Sequence, residues 1–232
     1  LNNLEGFFCK PNQISCKISN GVEIRYNHCK KINKCEIYHT VFNQPFAYLL
    51  YQRKSLALHA SALEINKNGF LFMGLSGSGK SYFVSKMLKN GLFLSEDITR
   101  VTFENGFAFA NPSHSLLKLD ISKESDNRYL TFNSKLPFDK RKRTSFLINH
   151  ESISKKPVRI QACFLLNFSN NFSIKKLDDA QSFALMLQSS FKSNPIFSSK
   201  KNDIAIDTLI ANMISDVEFY VVNRKKNSNN NV

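Results

Sequence analysis

The chain has 232 residues, 42% of them hydrophobic and 21 of them phenylalanine, and its 32 Lys and Arg outnumber 18 Asp and Glu for a net charge of +14. This excludes a disordered chain, which would be poor in aromatic and apolar residues, and the length suits one substantial domain with a small attachment. The charge turns the molecule away from basic partners and leaves nucleotides, phosphorylated metabolites, nucleic acid, anionic surfaces or a solvated lysine surface.

Residues 1–43 read as an N-terminal, β-rich extension packed on a core. Within it Ile14–Ile18 and Val22–Tyr26 alternate apolar and polar residues around Asn20-Gly21, a type I′ turn pair, so a hairpin is expected. Pro45 opens an apolar run, Phe46–Tyr51, and suits a helix start. The alternation over Ser55–Ile65 predicts one strand, and Asn68-Gly69 with Phe70–Met73 completes a second hairpin. Ser78–Leu88 has helical spacing, with Phe83, Met87 and Leu88 on one side and Gly91 read as the C-cap. Leu92–Ser95, Thr99–Phe103 and Phe107–Ala110 predict short strands, the last two joined by Asn105-Gly106. Residues 111–157 read as irregular and basic. Val158–Asn167 is an apolar strand. Leu177–Phe191 is helical, with Asp178 and Asp179 where the helix dipole favours negative charge. Asp203–Ile214 and Val217–Val222 supply a last helix and strand, and residues 225–232 a polar tail.

No apolar run approaches the roughly 18 residues that span a bilayer. The first residues lack the basic-then-apolar order of a secretory signal, so a cytoplasmic setting is expected. Five cysteines, Cys9, Cys16, Cys29, Cys35 and Cys163, fit reduced thiols. Four lie near His28 and His39, but their wide spacings lack the close Cys pair of structural zinc sites.

The segment Gly74-Leu75-Ser76-Gly77-Ser78-Gly79-Lys80-Ser81 matches G-x-x-x-x-G-K-[ST] between a predicted strand and a predicted helix. Glycines there let successive N–H groups turn inward onto phosphate oxygens, and the helix N-terminus adds a favourable dipole. Lys80 is expected on the β- and γ-phosphates of ATP and the Ser81 hydroxyl on Mg²⁺. The adjacent acids Glu96-Asp97 end the next strand, on the side where such sheets bind ligands. One would serve the metal or its water, the other the attacking group. Lys140 to Arg143 form a basic cluster suited to phosphates or an acidic acceptor.

His59-Ala60-Ser61, the hairpin into Gly74–Ser81, and Gly91-Leu92-Phe93-Leu94-Ser95-Glu96-Asp97 together resemble the C-terminal domain of the HPr kinase/phosphorylase family. Pro112–Leu119, Lys140-Arg141, Val158–Leu166, Asp178–Phe191 and Glu218–Val222 follow in that family's order. The resemblance implies an α/β, phosphoenolpyruvate-carboxykinase-like P-loop domain over 44–224, with a mixed, strand-rich sheet and flanking helices. It implies ATP, Mg²⁺ and phosphate transfer to a hydroxyl, of a serine in a peptide or protein or of a small molecule, and homo-oligomers. It places Glu96 as general base, Asp97 on the metal side with Ser81, His59 beside the phosphates, and Lys140 and Arg141 near the nucleotide. Glu96 stands where the family carries Asp, one methylene longer. No Arg-Gly-x-Gly signature is present, which argues against a bifunctional enzyme acting on HPr.

Three functions compete. An ATP-dependent hydroxyl kinase uses the whole constellation. A nucleotide-binding regulator or pseudokinase with little catalysis would follow from the altered base. A nucleic-acid-linked ATPase draws only on charge, and the 140–143 cluster has only Phe138 and Phe146 nearby to stack bases, so no nucleic acid partner is expected.

Overall fold

The computed structural model describes residues 5–120, 128–191 and 200–225, the side chains of residues 200 and 201 aside. The polar tail beyond residue 225 lies outside the described residues. Three antiparallel strands, β1 (Glu5–Lys10), β2 (Ile14–Ser19) and β3 (Glu23–His28), open the chain. Asn20 and Gly21 both take positive φ at the turn between β2 and β3, as a type I′ pair requires. Helices α1 (Lys34–Val41) and α2 (Gln44–Gln52) follow, the second with Pro45 in its first turn.

The central sheet begins with β4 (Leu56–Leu58) and β5 (Ser61–Ile65). The sequence predicts one strand here, but the chain breaks at His59-Ala60. A tight turn closed by Ala60 N–H on the Leu58 carbonyl, 2.9 Å, sends β4 to one partner and β5 to others. After β5 come β6 (Asn68–Met73), α3 (Lys80–Met87), β7 (Leu92–Ser95), β8 (Thr99–Glu104) and β9 (Phe107–Ala110). The β5–β6 turn is Asn66-Lys67, both at positive φ, while Asn68 and Gly69 already belong to the strand. Gly91 is not a C-cap. A Cβ there would stand 2.5 Å from the Glu64 carbonyl, so glycine permits β7 to approach β5.

Residues 111–120 and 128–157 are more regular than their sequence suggests. Strands β10 (Leu116–Leu119), β11 (Leu130–Lys135) and β12 (Thr144–Ile148) form a separate sheet of order β10-β12-β11. The chain ends with β13 (Val158–Phe168), β14 (Ser173–Lys176), α4 (Asp179–Ser189), α5 (Lys200–Asp216) and β15 (Glu218–Arg224). The central sheet runs β4-β8-β9-β13-β6-β5-β7, with β15 and β14 added beside β13. It is mixed: β13 runs parallel to β6 and β15 and antiparallel to β9.

Both faces of this sheet are covered, which is why its inner strands read as unbroken apolar runs. Alternate residues go to different cores. Ala62, Leu71, Met73 and Leu94 pack with Met186 of α4 and Ile210 and Met213 of α5. Leu63, Phe72 and Phe93 pack with Val84 of α3 and Leu117, Phe146 and Ile148 of the smaller sheet. The smaller sheet thereby stands against α3, over the segment that joins β6 to it. Ile14, Cys16 and Ile18 of β2 join the first core with Tyr48 and Leu49 of α2. No helix among the described residues is long and apolar enough to cross a membrane.

Candidate functional site

The glycine-rich segment links the buried end of β6 to α3, and backbone conformation dictates its glycines. Gly74, Gly77 and Gly79 take φ of 139°, 95° and 81°, a region closed to most side chains. A Cβ on Gly74 would meet the Leu166 carbonyl at 2.7 Å, and one on Gly79 would meet the Arg224 guanidinium at 2.7 Å. The loop therefore curls tightly against β13 and β15 before entering α3. Ser78 is buried, with Oγ lacking a hydrogen-bond partner among the described residues. Lys80 folds back over the loop, its Nζ donating to the Gly74 carbonyl at 2.8 Å. Arg141 donates to Ser76 Oγ at 2.8 Å, and Arg224 donates to the Ser78 carbonyl at 2.5 Å. Lys140 is exposed and does not line the adjoining cavity.

The two acids part company. Ser81 Oγ, in the first turn of α3, donates to Glu96 Oε1, and the Lys118 backbone N–H approaches Glu96 Oε2 at 3.4 Å. Asp97 instead takes Lys118 Nζ in an ion pair and Asn43 Nδ2 at 3.1 Å, both on Oδ2. The resemblance put Asp97 with Ser81; the geometry puts Glu96 there. Asp97 lines the cavity while Glu96 is 1% exposed.

The chain arranges this separation with a strained turn. Asp97 has φ 60°, and the Ile98 N–H closes on the Glu96 carbonyl at 2.6 Å, a three-residue turn centred on Asp97. Strain of this kind gathers at functional sites. The turn aims the Asp97 carbonyl at His59, whose Nδ1 lies 2.9 Å away and must carry the proton, since a carbonyl only accepts. Beneath it, Ser95 and Thr99 hydroxyls meet at 2.6 Å and Thr99 donates to the Ala60 carbonyl at 3.1 Å. The break beside His59 and the turn at Asp97 are thus one hydrogen-bonded unit.

Electrostatics follow from burial and the neighbouring lysine. Burial, then the Asp97 charge, push the Glu96 carboxyl up to about 8. Burial acts upward on Asp97 too, but the Lys118 ammonium overcomes it and holds that carboxyl well below the usual range. Burial and then the Lys80 charge lower His59, leaving a neutral ring.

The cavity beside the loop holds about 370 Å³ and is lined by His59, Lys80, Ser81, Asp97, Lys118 and Arg143 among others. Of the residues singled out from sequence, the structure brings together His59, the loop, Lys80, Ser81, Glu96, Asp97 and Arg141. Arg143, from the basic cluster read in the sequence, also lines the cavity, and the structure adds Asn43, Lys118 and Arg224. A signal for Lys118 was available: a lysine inside the apolar run Leu116–Leu119 needs a partner if that run is buried.

The arrangement suits a polyanion with a hard cation. The first turn of α3 leaves N–H groups without intrahelical acceptors, and the positive-φ glycines make a concave loop beside them. The Ser81 hydroxyl and Glu96 carboxyl are oxygen donors of the kind that could hold magnesium. Among the described residues no cluster of three His, Cys, Asp or Glu forms a metal cage. Magnesium held partly by substrate phosphates needs none.

No known family model matches the chain, and no curated protein matches it. Among solved structures, the Hpr(Ser) kinase/phosphatase from Coxiella burnetii is similar at a TM-score of 0.36 and 11% identity, over 75% of this chain and 82% of that one.

Proposed function

We propose that the protein is an ATP- and magnesium-dependent phosphotransferase acting on a hydroxyl group, with residues 44–224 as its P-loop unit. The observation that carries this reading is the separation of the two acids, Glu96 against Ser81 under the loop and Asp97 facing the cavity. Phosphoryl transfer needs little covalent help and much positioning and charge neutralisation. Magnesium, when bound, neutralises charge on the phosphate oxygens.

Ser81 and Glu96 would hold the metal side. Lys80, bonded among the described residues to loop carbonyls, can turn to the phosphates. Arg141, tied to Ser76, and Arg143 on the cavity wall supply further positive charge. Asp97 is the proton acceptor for the attacking hydroxyl. His59 fixes the Asp97 turn through its carbonyl and acts as a positioning residue. The longer side chain of Glu96 then falls on the metal side, where a methylene is easier to absorb than at the base.

Transfer of labelled γ-phosphate to candidate hydroxyl acceptors tests this, with Lys80→Ala as control. Transfer by the wild type, lost in the variant, supports it; equal signal from both sinks it. A second reading, a nucleotide-binding regulator, draws on the Lys118–Asp97 ion pair, which weakens Asp97 as a base. Nucleotide binding without turnover, unchanged in Asp97→Asn, would favour it.

A further inference from the structure

A second cavity, about 350 Å³, adjoins the first and shares Asn43, Lys118 and Arg143 with it. Its far side is built by the N-terminal segment, from Phe8 and Lys10 of β1 and Glu36 and His39 of α1. The shared Asn43 and Lys118 are the two side chains that hold the Asp97 carboxylate. A molecule seated in the second cavity therefore meets the walls from which Asp97 is reached.

Glu36 is the informative residue. It is the third residue of α1, where a glutamate normally reaches back to the N-cap N–H. Asn33 caps the helix by accepting from the Glu36 N–H at 2.8 Å, but the Glu36 carboxylate turns away. Its Oε1 accepts from the Phe138 N–H at 2.7 Å. Its Oε2 has no hydrogen-bond partner among the described residues, although the residue is only 6% exposed and lines the cavity. A buried carboxylate oxygen left so is costly unless a ligand or an ordered water donates to it. Burial raises the Glu36 carboxyl, and the Phe138 N–H and then the Lys10 charge oppose this, so Glu36 and Lys10 sense each other across the cavity. They close into no ion pair among the described residues. Asp139, the other acid on the wall, is taken by Arg143 at 2.7 Å. Among the described residues, Lys118 and Arg143 on the wall are paired with Asp97 and Asp139, which leaves an open carboxylate oxygen on Glu36 and the Lys10 ammonium outside any ion pair, with Phe8, Ile32 and Phe138 as apolar wall.

We infer that this cavity is the acceptor site, and that it takes a small zwitterionic hydroxyl compound of the hydroxy-amino-acid class. The acceptor's ammonium meets Glu36, its carboxylate meets Lys10, and its hydroxyl is directed toward Asp97. The inference rests on the kinase reading above. In the step, the hydroxyl oxygen bonds to the γ-phosphorus of a nucleoside triphosphate while the bond from that phosphorus to the β–γ bridging oxygen breaks. The hydroxyl proton passes to the Asp97 carboxylate and then to solvent. The products are a phosphomonoester and a nucleoside diphosphate. A volume of this size, at the low end of small-molecule sites, fits a single amino acid better than a folded protein surface.

Calorimetry on the full chain tests the pocket directly, titrating L-serine, L-threonine and L-homoserine, with glycerol, glucose and a serine-containing decapeptide alongside. Binding of one of the amino acids, weakened about ten-fold or more in Glu36→Gln and in Lys10→Met, supports the inference. Glu36→Gln retains an oxygen for Phe138, so folding is preserved; far-ultraviolet dichroism and nucleotide affinity equal to wild type verify this. Binding of glycerol, glucose or the decapeptide without the amino acids overturns the inference, as does amino-acid binding indifferent to both substitutions. A nucleotide titration separates the two readings. Failure of nucleotide binding overturns the kinase reading, whereas amino-acid binding lost in Glu36→Gln would still support the pocket.

Discussion

Adjacent carboxylates with opposite shifts define the chemistry of single residues here. Glu96, pushed up to about 8, keeps its proton at neutral pH in the metal-free protein. Magnesium held by Glu96 would need the ionised form, so its binding would release that proton and tighten as pH rises through neutrality. Calorimetry of magnesium–nucleotide binding in buffers of different ionisation enthalpy reads the released proton directly. Glu96→Gln should bind metal weakly and release none. A wild type that releases no proton would remove Glu96 from the metal side. Stability carries the same sign. The folded chain holds a proton that the unfolded chain has lost above the ordinary carboxylate range. Stability therefore falls as pH rises from there to about 8. Asp97 behaves in reverse: its contribution is complete above the ordinary range and disappears only on strong acidification. Asp97→Asn tests its role cleanly, because asparagine tolerates the left-handed backbone at this turn. It should lower kcat about 10²- to 10⁴-fold with nucleotide affinity retained. A kcat within two-fold of wild type would assign the proton to another group.

The site depends on elements whose positions are set by close approach. Gly91 lets β7 lie against β5, and β7 delivers Glu96 and Asp97. Gly91→Ala must displace the Glu64 carbonyl, so thermal unfolding should show a loss of about 1–3 kcal/mol and nucleotide binding should weaken with it. At the other end of the molecule, Asp178 and Gln181 form a reciprocal capping box on α4. Asp178→Ala should cost about 1 kcal/mol and leave the site untouched, which separates general destabilisation from displacement of β7. How legible these elements are follows from the range of the interactions that form them. The glycine-rich loop, the hairpin turns at Asn20-Gly21 and Asn105-Gly106, and the α4 cap are written within a few residues of sequence. Strands β10 to β12 are not. β10 finds its partner β12 only across the intervening chain and carries Lys118 within its apolar run, and polar residues dilute β11, so local alternation is weak. Asn43 shares that fate, and Lys118 shows in the sequence only its need for a partner, because the fold alone brings both to Asp97. The separation of Glu96 from Asp97 is equally hidden, since it follows from a backbone turn at one residue.

For the whole molecule, the question is whether residues 5–43 are an appendage or part of the folding unit. Ile14, Cys16 and Ile18 are 2%, 3% and 1% exposed and share a core with α2, α4 and α5. At about 1.5–3 kcal/mol for fully burying an aliphatic side chain, Ile14 and Ile18 alone contribute about 3–6 kcal/mol. That is comparable to the whole net stability of an ordinary domain, about 5–15 kcal/mol. The same segment supplies Asn43 to Asp97 and Glu36 to the second cavity. A chain beginning at residue 44 should therefore lose cooperative unfolding and bind a fluorescent nucleotide poorly. The full chain should unfold in one transition. If instead the shortened chain melts cooperatively within a few degrees of the full one, the N-terminal sheet is accessory. Nucleotide binding at unchanged affinity in that shortened chain would confine the phosphate-binding unit to the later residues and leave the N-terminal segment to the acceptor alone.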